Sequence, residues 1–467
     1  MLALFRAEAR RGRAAGANAL EIPLSCKEGL SWLYGLQKLG MKLGLENSRD
    51  LCAILGHPER SFTSILVAGT NGKGSVAAML ESILRAAGLA TGLYTSPHLV
   101  RPEERIRIGG RDIEPGPFDE SLQRVRQAID RSLGGPELSR HPTFFEVLTA
   151  MAFDAFSRAR VEVGVLEVGL GGRFDATNIV DPALSIVCGV DLDHQEQLGS
   201  DLASIAREKA GVFRSGRPAL IGEEKAEARE QLERIARGVG SRALFVFQET
   251  LPTVVDDGLR LPDEGGGWLE LDLDSPARSY RRLRVPLPGR HQARNVALAV
   301  RAAEVLAEER GFALQEGAIR RGLESTRWAG RLEWVAGSPA LLLDCAHNPA
   351  GAAALAAALR RIGPRRCVLL FGAMQDKDFA GMARELAGCM RAVVATRAKI
   401  DRSADPEEVI VPFREAASGE PAVAVATVAA ALSSARSLAG PSGIVCGAGS
   451  IYLVGEIKGL LEAGQRR

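Results

Sequence analysis

A short glycine-rich segment carries the residues best suited to chemistry in this sequence, in the order Gly69, Thr70, Asn71, Gly72, Lys73, Gly74, Ser75. Glycines let backbone N–H groups approach phosphate oxygens closely, and the N-terminus of a following helix adds a partial positive charge. Lys73 can reach the outer phosphates of a nucleotide, and the Ser75 hydroxyl can bind Mg²⁺. The segment predicts a phosphate-binding loop, and the alternative is an ordinary turn between a strand and a helix.

One detail of this segment is unusual for a phosphate-binding loop. The common pattern places Ser or Thr directly after the lysine, whereas Gly74 separates Lys73 from Ser75 here. The additional glycine argues against a motor protein or a G protein. It favours a variant subclass of nucleotide-binding protein.

Three polar residues, Ser96, Glu167 and His194, each follow an apolar run. In an open parallel sheet, ligands bind outside the carboxyl ends of the strands, where such residues would lie. A hydroxyl, a carboxylate and an imidazole beside a nucleotide suit Mg²⁺, and the imidazole suggests a second ion. Each residue alone also fits a simpler role, namely a turn for Ser96, an ion pair for Glu167 and a loop position for His194.

Two further features lie near these strand ends. A second glycine-rich stretch, residues 167–178, could be a dinucleotide-binding fingerprint, but no helix follows it directly. We interpret it as a substrate loop whose backbone approaches a ligand closely. Lys209 lies near the end of a helical pattern over Asp201–Ala210. It could be a solvated lysine favoured by the helix dipole, and spacing alone does not exclude that role.

The elements that must position these residues alternate between strand and helix. Apolar runs predict strands at Ile65–Ala68, Ala90–Thr95, Val161–Val168, Ala183–Val190 and Arg217–Gly222. Helical patterns lie at Ser31–Leu55, Val76–Ala87, Phe144–Arg158 and Asp201–Ala210. Nearly continuous apolar strands that alternate with helices predict an α/β fold with a parallel sheet covered on both faces.

The remaining sequence predicts a small β extension and a second α/β unit. Residues 251–287 are turn-rich, and we expect a small antiparallel sheet there, followed by helices at His291–Glu309 and Leu314–Glu324. Strands of the second unit are expected at Ala340–Asp344, Cys367–Phe371, Ala392–Thr396 and Gly443–Cys446. The predicted domains are 1–326, which binds the nucleotide, and 331–467, which is Rossmann-like. A cleft between them is the expected active site.

The composition argues against several classes of function. The 467 residues include 59 basic and 57 acidic side chains, so the net charge of +2 indicates neither a nucleic-acid nor a membrane partner. Seven scattered cysteines without a CxxC pair fit reduced thiols. No apolar run is long enough to span a bilayer, and the arginine-rich N-terminus lacks an apolar signal core. We therefore expect a cytoplasmic protein, and a monomer because no surface stripe calls for a dimer.

Several motifs occur together in a fixed order: GTNGKGS, TSPHL, EVGLGGRFDATN, LDHQEQLG with SIAREKAG, PGRHQARN, WAGRLE and DCAHNP. With these motifs the chain, from Leu43 to Glu456, resembles the folylpolyglutamate synthase/dihydrofolate synthase family of the Mur ligase superfamily. The resemblance implies an ATP-dependent ligase that phosphorylates a carboxylate and joins it, through an acyl phosphate, to the amine of L-glutamate. It implies reduced folates or dihydropteroate as the carboxylate substrate, with two Mg²⁺ ions.

The resemblance also implies roles for individual residues. The implied Mg²⁺ ligands are Ser96, Glu167 and His194, beside Ser75 of the loop. Lys209 matches a lysine that is carbamylated in the family, and the expected catalytic residues are Lys73, His194 and Lys209. A neutral lysine amine can react with CO₂, which turns a cation into an anion suited to face a metal ion. Nucleotide contacts are implied for Asn295, Arg331, Asp344 and His347, and substrate contacts for Thr143, Phe174 and Asp175.

Three alternatives stand beside polyglutamylation of folates. Lys42 occupies the place where some dihydrofolate-forming members carry an acidic residue, which makes dihydrofolate synthase activity the less expected of the two. Another amino-acid ligase of the superfamily, acting on a UDP-linked precursor, would need a further domain before Gly69, where we expect too few residues. A nucleotide-binding regulator without catalysis is the third alternative, although every expected metal and phosphate position is filled.

Overall fold

The fold is built around two large sheets that follow one another along the chain. This computed structural model describes residues 26–40, 42, 44–261, 264–363, 366–416 and 421–465. The strands of the first sheet are β1 (Thr63–Ala68), β2 (Thr91–Tyr94), β3 (Ile106–Ile108), β4 (Arg111–Asp112), β5 (Val163–Glu167), β6 (Leu184–Val187), β7 (Pro218–Ile221) and β8 (Arg242–Phe245). Their order is β4-β3-β2-β5-β1-β6-β7-β8. The predicted parallel pairing is confirmed for the five predicted strands, and β8 joins them as a sixth parallel strand that the sequence did not predict. β3 and β4 form an antiparallel edge too short to show a period in sequence.

Strand β1 lies at the centre of this sheet with both faces buried. Ile65 and Val67 pack into one hydrophobic core, and Leu66 and Ala68 pack into the core on the other face. Successive side chains of a strand point to opposite faces, so helices must cover both sides. The helices of this part of the chain are α1 (Cys26–Gly35), α2 (Glu46–Ile54), α3 (Lys73–Ala86), α4 (Pro115–Ser132), α5 (Phe144–Arg158), α6 (Gln195–Leu198), α7 (Leu202–Lys209), α8 (Ala226–Val239), α9 (Val246–Glu249), α10 (His291–Arg310) and α11 (Glu316–Ser325).

The single helix predicted over Ser31–Leu55 is wrong. Helix α1 ends at Gly35, a 3₁₀ turn covers Leu36–Leu39, and α2 begins only at Glu46. Gly40 and Gly44 lie between them with φ angles of 65° and 126°. These positive angles interrupt a helix and favour glycine, because residues with a Cβ rarely adopt such backbone conformations. The amphipathic pattern thus came from two separate helices, one before and one after the break.

The predicted antiparallel extension is confirmed. It consists of β9 (Leu251–Asp256), β10 (Leu269–Asp274) and β11 (Ser279–Val285), in the order β11-β10-β9. Leucines of β10 at positions 269, 271 and 273 alternate into the same core as helices α3 and α10. The extension therefore packs on the first sheet's layer of helices and does not extend that sheet.

The second sheet begins after residue 331 and contains the four predicted strands together with two short strands that were not predicted, at Glu333–Val335 and Ala422–Ala424. Its strands are β12 (Glu333–Val335), β13 (Ala340–Leu343), β14 (Cys367–Phe371), β15 (Ala392–Ala395), β16 (Ala422–Ala424) and β17 (Ile444–Ala448), in the order β12-β13-β17-β14-β15-β16. Only β12, at one edge of this sheet, is antiparallel. The helices are α12 (Pro349–Ile362), α13 (Phe379–Leu386), α14 (Pro406–Ala416), α15 (Val428–Ala439) and α16 (Ile451–Gln465). The division into domains 1–326 and 331–467 stays a prediction.

The segment between the two sheets, residues 326–330, packs tightly against the first sheet's glycine-rich loop. A Cβ at Gly74 would lie 2.6 Å from the Trp328 ring. Trp328 in turn lies beneath the Arg107 guanidinium, at 5.1 Å from the ring centroid. The glycine that separates Lys73 from Ser75 thus makes room for an indole, and this close approach is a physical reason for the unusual loop sequence.

Two expectations concern residues outside the described ranges. The N-terminal segment without a signal core lies within residues 1–25, and positions 41 and 43 beside Lys42 are likewise not described. Across the described helices, none is long and apolar enough to cross a membrane.

Candidate active site

A cleft of about 1390 Å³ is lined by the loops that follow strands of both sheets. From the first sheet it receives the glycine-rich loop after β1 and the loops after β2, β5, β6 and β7. From the second it receives the loops after β13 and β14 and the start of α16. Carboxyl ends of parallel strands are the usual place for ligands in α/β proteins, so this cleft is the candidate active site.

The glycine-rich loop has the geometry of an anion-binding turn. Gly69 and Gly72 have φ angles of 149° and 84°, and helix α3 begins directly at Lys73. Lys73 Nζ donates to the loop's own carbonyl oxygens, Gly69 O at 3.0 Å and Thr70 O at 3.2 Å. The Ser75 hydroxyl is buried and has no hydrogen-bond partner among the described residues. A buried hydroxyl without a partner is costly unless a ligand completes it.

Glu167 ends strand β5 and is almost completely buried. Its Oε2 accepts a hydrogen bond from the Ser96 backbone N–H at 3.2 Å. Burial raises the pKa of the Glu167 carboxyl, and the nearby charge of Lys73 opposes that shift. The donor set of Ser75, Ser96 and Glu167 consists of oxygen atoms, which is what Mg²⁺ prefers. The residues present therefore fit a Mg²⁺ ion next to the phosphates of a nucleotide.

His194 lies in the loop after β6 with a left-handed backbone, φ 51°. Its Nε2 is 3.3 Å from Lys377 Nζ, which comes from the second sheet's side of the cleft. Burial lowers the pKa of His194 to about 4, which keeps the ring neutral at physiological pH. A neutral imidazole can bind a metal ion, but in this arrangement its Nε2 faces an ammonium group. No three His, Cys, Asp or Glu side chains in the described ranges cluster as a metal site.

Asp193 joins the two sides of the cleft, and the sequence analysis did not single it out. Its carboxylate accepts from Lys377 Nζ at 2.5 Å and from Asn348 Nδ2 at 3.2 Å, and it lies 3.5 Å from His347 Nε2. Burial would raise the pKa of Asp193, but His347 and Lys377 hold it well below its usual range. Asn348 Nδ2 also donates to Asn71 Oδ1 at 3.1 Å. The glycine-rich loop is thereby tied to the second sheet.

Lys209 is buried, at 3% exposure, at the end of α7. Burial lowers the pKa of its ammonium to about 7, and Lys73 adds to that shift. In the described ranges its Nζ makes no hydrogen bond or ion pair. The loop of Gly172 covers it, because a Cβ at Gly172 would lie 2.8 Å from the Lys209 carbonyl oxygen. The solvated lysine considered from the sequence is therefore wrong, since Lys209 is enclosed.

Of the residues expected to contact the nucleotide, the loop residues 70–75 and Asn295, Arg331, Asp344 and His347 line this cleft, whereas Gly69 does not. Asp344 accepts from the backbone N–H groups of Leu332 and Ala346, each at 2.9 Å. Arg331 donates to the Gly330 carbonyl oxygen, and His347 Nδ1 lies 2.9 Å from the Cys345 carbonyl oxygen. Asn295 approaches the glycine-rich loop, since a Cβ at Gly72 would lie 2.5 Å from Asn295 Oδ1. Helix α10 and the loop after β13 thus both contribute to this part of the cleft.

The three residues expected to contact the acceptor substrate, Thr143, Phe174 and Asp175, also line the cleft. Thr143 caps α5, with Oγ1 accepting from the Glu146 N–H at 3.3 Å. Asp175 accepts from the Leu170 and Thr177 N–H groups, at 2.9 Å and 3.0 Å. Both polar side chains therefore also hold local structure, whereas the Phe174 ring is 38% exposed.

An aromatic wall, defined by Tyr34, Phe144 and Phe145, lines one end of the cleft and was not found from the sequence. Tyr34 stacks on Phe144 with ring centroids 5.9 Å apart at 24°. The Arg105 guanidinium lies 5.3 Å from the Phe144 centroid, and its Nε donates to His98 Nδ1 at 2.9 Å. Burial lowers the pKa of His98 to about 3, so this ring is neutral. The only sequence signal was the aromatic pair that follows Thr143.

The two α/β parts that share this cleft match the two domains of the Mur ligase class. Residues 67–303 match the Mur ligase middle domain, and residues 330–451 match the Mur ligase, glutamate ligase domain. More particularly, the chain belongs to the folylpolyglutamate synthase/dihydrofolate synthase family, as the relatives below show.

Two curated relatives are similar over most of the chain. A probable bifunctional folylpolyglutamate synthase/dihydropteroate synthase of Haloferax volcanii is 36% identical over 433 residues, which cover 92% of this chain and 50% of the relative. The chain thus spans about half the length of that relative. The dihydrofolate synthase/folylpolyglutamate synthase of Bacillus subtilis is 35% identical, over 76% of this chain and 81% of the relative.

Solved structures share the whole fold. E. coli FolC in complex with DHPP and ADP is 31% identical, covers 94% of this chain and 98% of its own, and has a TM-score of 0.81. A bifunctional folylpolyglutamate synthase/dihydrofolate synthase with Mn, AMPPNP and L-glutamate bound is 30% identical, covers 94% and 100%, and has a TM-score of 0.78. Both parts of the predicted fold class are therefore confirmed.

Proposed function

We propose that this protein is an ATP-dependent ligase that adds L-glutamate to the glutamate tail of reduced folates, and that dihydropteroate is a second acceptor. The observation that carries the proposal is the buried Ser75 hydroxyl beside Lys73, which has no hydrogen-bond partner among the described residues and lies in a loop that opens into a cleft shared with the second sheet. The ligands named for the two solved relatives, ADP with DHPP and AMPPNP with L-glutamate, support the same substrates.

The reaction proceeds in two displacements within the cleft. An oxygen of the acceptor carboxylate attacks the γ-phosphorus of ATP, and the bond to ADP breaks, which leaves an acyl phosphate. The amine of L-glutamate, after losing a proton, then attacks the acyl carbon, and inorganic phosphate leaves. Lys73 and the loop N–H groups hold the phosphates in place, and positioning and charge stabilisation provide most of the catalysis. Closure of the two domains over the substrates would exclude water, which would otherwise hydrolyse the acyl phosphate.

The residue roles in this proposal follow the sequence expectations. Ser75, Ser96 and Glu167 hold Mg²⁺, which neutralises phosphate charge when bound, and His194 serves a second Mg²⁺. Lys209 carries a carbamate close to His194. The nucleotide is held by Asn295, Arg331, Asp344 and His347, and the acceptor by Thr143, Phe174 and Asp175. The proposal also includes a monomeric, cytoplasmic enzyme without nucleic-acid or membrane partners.

The Glu167→Gln variant tests the metal assignment. The change removes one formal charge but keeps the shape of a buried side chain, so the fold should be retained. We expect the Mg²⁺ concentration for half-maximal rate to rise at least about tenfold. Even residues that only hydrogen-bond to metal ligands lower metal affinity by about that factor when they are mutated. Glu162→Gln is a matched control, because Glu162 is exposed at the opposite end of the same apolar run. Equal Mg²⁺ titrations for both variants would mean that Glu167 is structural.

A substrate panel with ADP release as readout tests the function. We expect ADP release with L-glutamate plus a reduced folate, and slower release with dihydropteroate because of Lys42. Turnover only with a UDP-linked cell-wall precursor would identify another ligase of the superfamily. Nucleotide binding without ADP release for any acceptor would identify a regulator, and either result would overturn the proposal.

A further inference from the structure

Among the residues that the structure describes, Arg105 is a buried cation without a carboxylate partner. It is 7% exposed and lines the cleft. Its Nε donates to His98 Nδ1, and its side chain lies near the Tyr94 hydroxyl. In the described part of the chain, no carboxylate oxygen lies within 4.0 Å of its guanidinium. Burying a charge is costly unless an opposite charge compensates it. The guanidinium therefore retains hydrogen-bonding capacity for an anion that enters the cleft.

Arg301 shows what a satisfied buried arginine looks like in this protein. It is 5% exposed, and its guanidinium contacts Glu249 at 3.0 Å, Glu308 at 3.3 Å and Glu304 at 3.5 Å. Arg301 is on helix α10 and does not line the cleft. Arg301 is away from the cleft and is neutralised by three carboxylates of the protein. Arg105 lines the cleft and has no such carboxylate among the described residues, which indicates that a ligand supplies its anion.

The backbone places Arg105 between two regions of the proposed site. Its carbonyl oxygen accepts from the Thr95 N–H at 2.9 Å, directly before Ser96. Its guanidinium lies over Phe144 of the aromatic wall. Consider an acceptor whose aromatic ring packs on the aromatic wall and whose reacting carboxylate points toward Ser96 and Glu167. The part of the acceptor between its ring and that carboxylate would lie next to the Arg105 guanidinium. The chemistry required is a carboxylate attached close to an aromatic ring.

We propose that Arg105 binds the carboxylate nearest the aromatic ring of the acceptor substrate and so determines acceptor specificity. This inference rests on the proposed function. The anion is the benzoate carboxylate in dihydropteroate or the α-carboxylate of the first glutamate in a folate. A guanidinium presents two parallel N–H donors, which match a carboxylate in a bidentate pair. The aromatic wall provides a surface for the ring, and the guanidinium fixes the direction of the acid.

Equilibrium binding, measured by calorimetry without ATP turnover, tests this assignment. The probes are dihydropteroate with its carboxamide, and tetrahydrofolate with its α-amide, each compared for wild type and Arg105→Met. We expect wild type to bind the acid at least roughly 30-fold more tightly than the amide in one pair, as for a truncated buried ion pair. Arg105→Met should lose that preference, and the pair that is affected identifies which carboxylate is bound. Arg105→Lys should recover part of it.

Controls separate this role from a structural one. Arg111→Met removes the same charge from the exposed β4 edge of the same hairpin and should keep the acid preference. ADP affinity should be unchanged in all variants. An Arg105→Met protein that retains the acid-to-amide ratio, or one that loses both affinities equally, would overturn the Arg105 assignment alone. Failure of wild type to bind any pteroyl compound would overturn the proposed function as well.

Discussion

The Lys73→Ala variant is expected to lose roughly 100- to 1,000-fold in ATP turnover while keeping its fold, the scale seen when one preorganised electrostatic contact is removed. Lys73 lies at the first position of α3, and within the described ranges its Nζ donates only to carbonyl oxygens of its own loop. When phosphates enter, the ammonium is the cation placed to neutralise them. The measurement is ADP release at saturating Mg²⁺, with circular dichroism to confirm the fold.

Lys458→Ala serves as the control for Lys73→Ala. Lys458 pairs with Glu333 at 2.5 Å and does not line the cleft, so turnover should stay within about threefold. Near wild-type ADP release by a folded Lys73→Ala protein would refute the phosphate-binding role. Equal losses in both variants would point to a general effect of removing a lysine.

The Lys209→Ala variant is expected to be nearly inactive, because the proposed carbamate supplies the negative charge beside His194. Because Mg²⁺ carries two charges, an unmodified ammonium at about 4 Å from it would be repelled by roughly 2–8 kcal/mol for effective dielectric constants between about 80 and 20. The pKa of Lys209, lowered to about 7, leaves the reactive neutral amine abundant above pH 7 and scarce below it. Activity that depends on bicarbonate should therefore increase as the pH rises through 7.

Rescue and labelling distinguish the carbamate from a packing role of Lys209. Small carboxylic acids in solution should partly restore Lys209→Ala but leave Lys73→Ala inactive. Isotopically labelled bicarbonate should give a carbamate signal by NMR in the wild type and none in Lys209→Ala. A fully active Lys209→Ala protein, together with no carbamate signal in active wild type, would rule out the modification.

The central parts of the fold could be predicted because they depend on local pattern. Phe144–Arg158 and Cys367–Phe371 have the predicted bounds, since each has a clear apolar pattern. The break between α1 and α2 was missed, because two glycines with positive φ determine it and an amphipathic pattern does not show backbone angles. The antiparallel edge strands were missed because two or three residues show no period.

The candidate site was predictable where a residue follows a strand, and not where contacts are long-range. Glu167 and the glycine-rich loop come directly after apolar runs, so their placement follows from chain order. The partner of Asp193, Lys377, is 184 residues away in sequence, and no local pattern connects them. Arg105 likewise becomes informative only when its burial and the lack of a carboxylate neighbour are known.

The contacts of Asp193 between the first and second parts of the chain also bear on how such enzymes could be recombined. One buried carboxylate on the first sheet is satisfied by Lys377, Asn348 and His347, all of which come from the second. A chimaera that joins this first part to the second part of another ligase must supply donors at those positions. Otherwise the junction would enclose a lone anion, and the misfit would arise far from the point of fusion at residues 326–330.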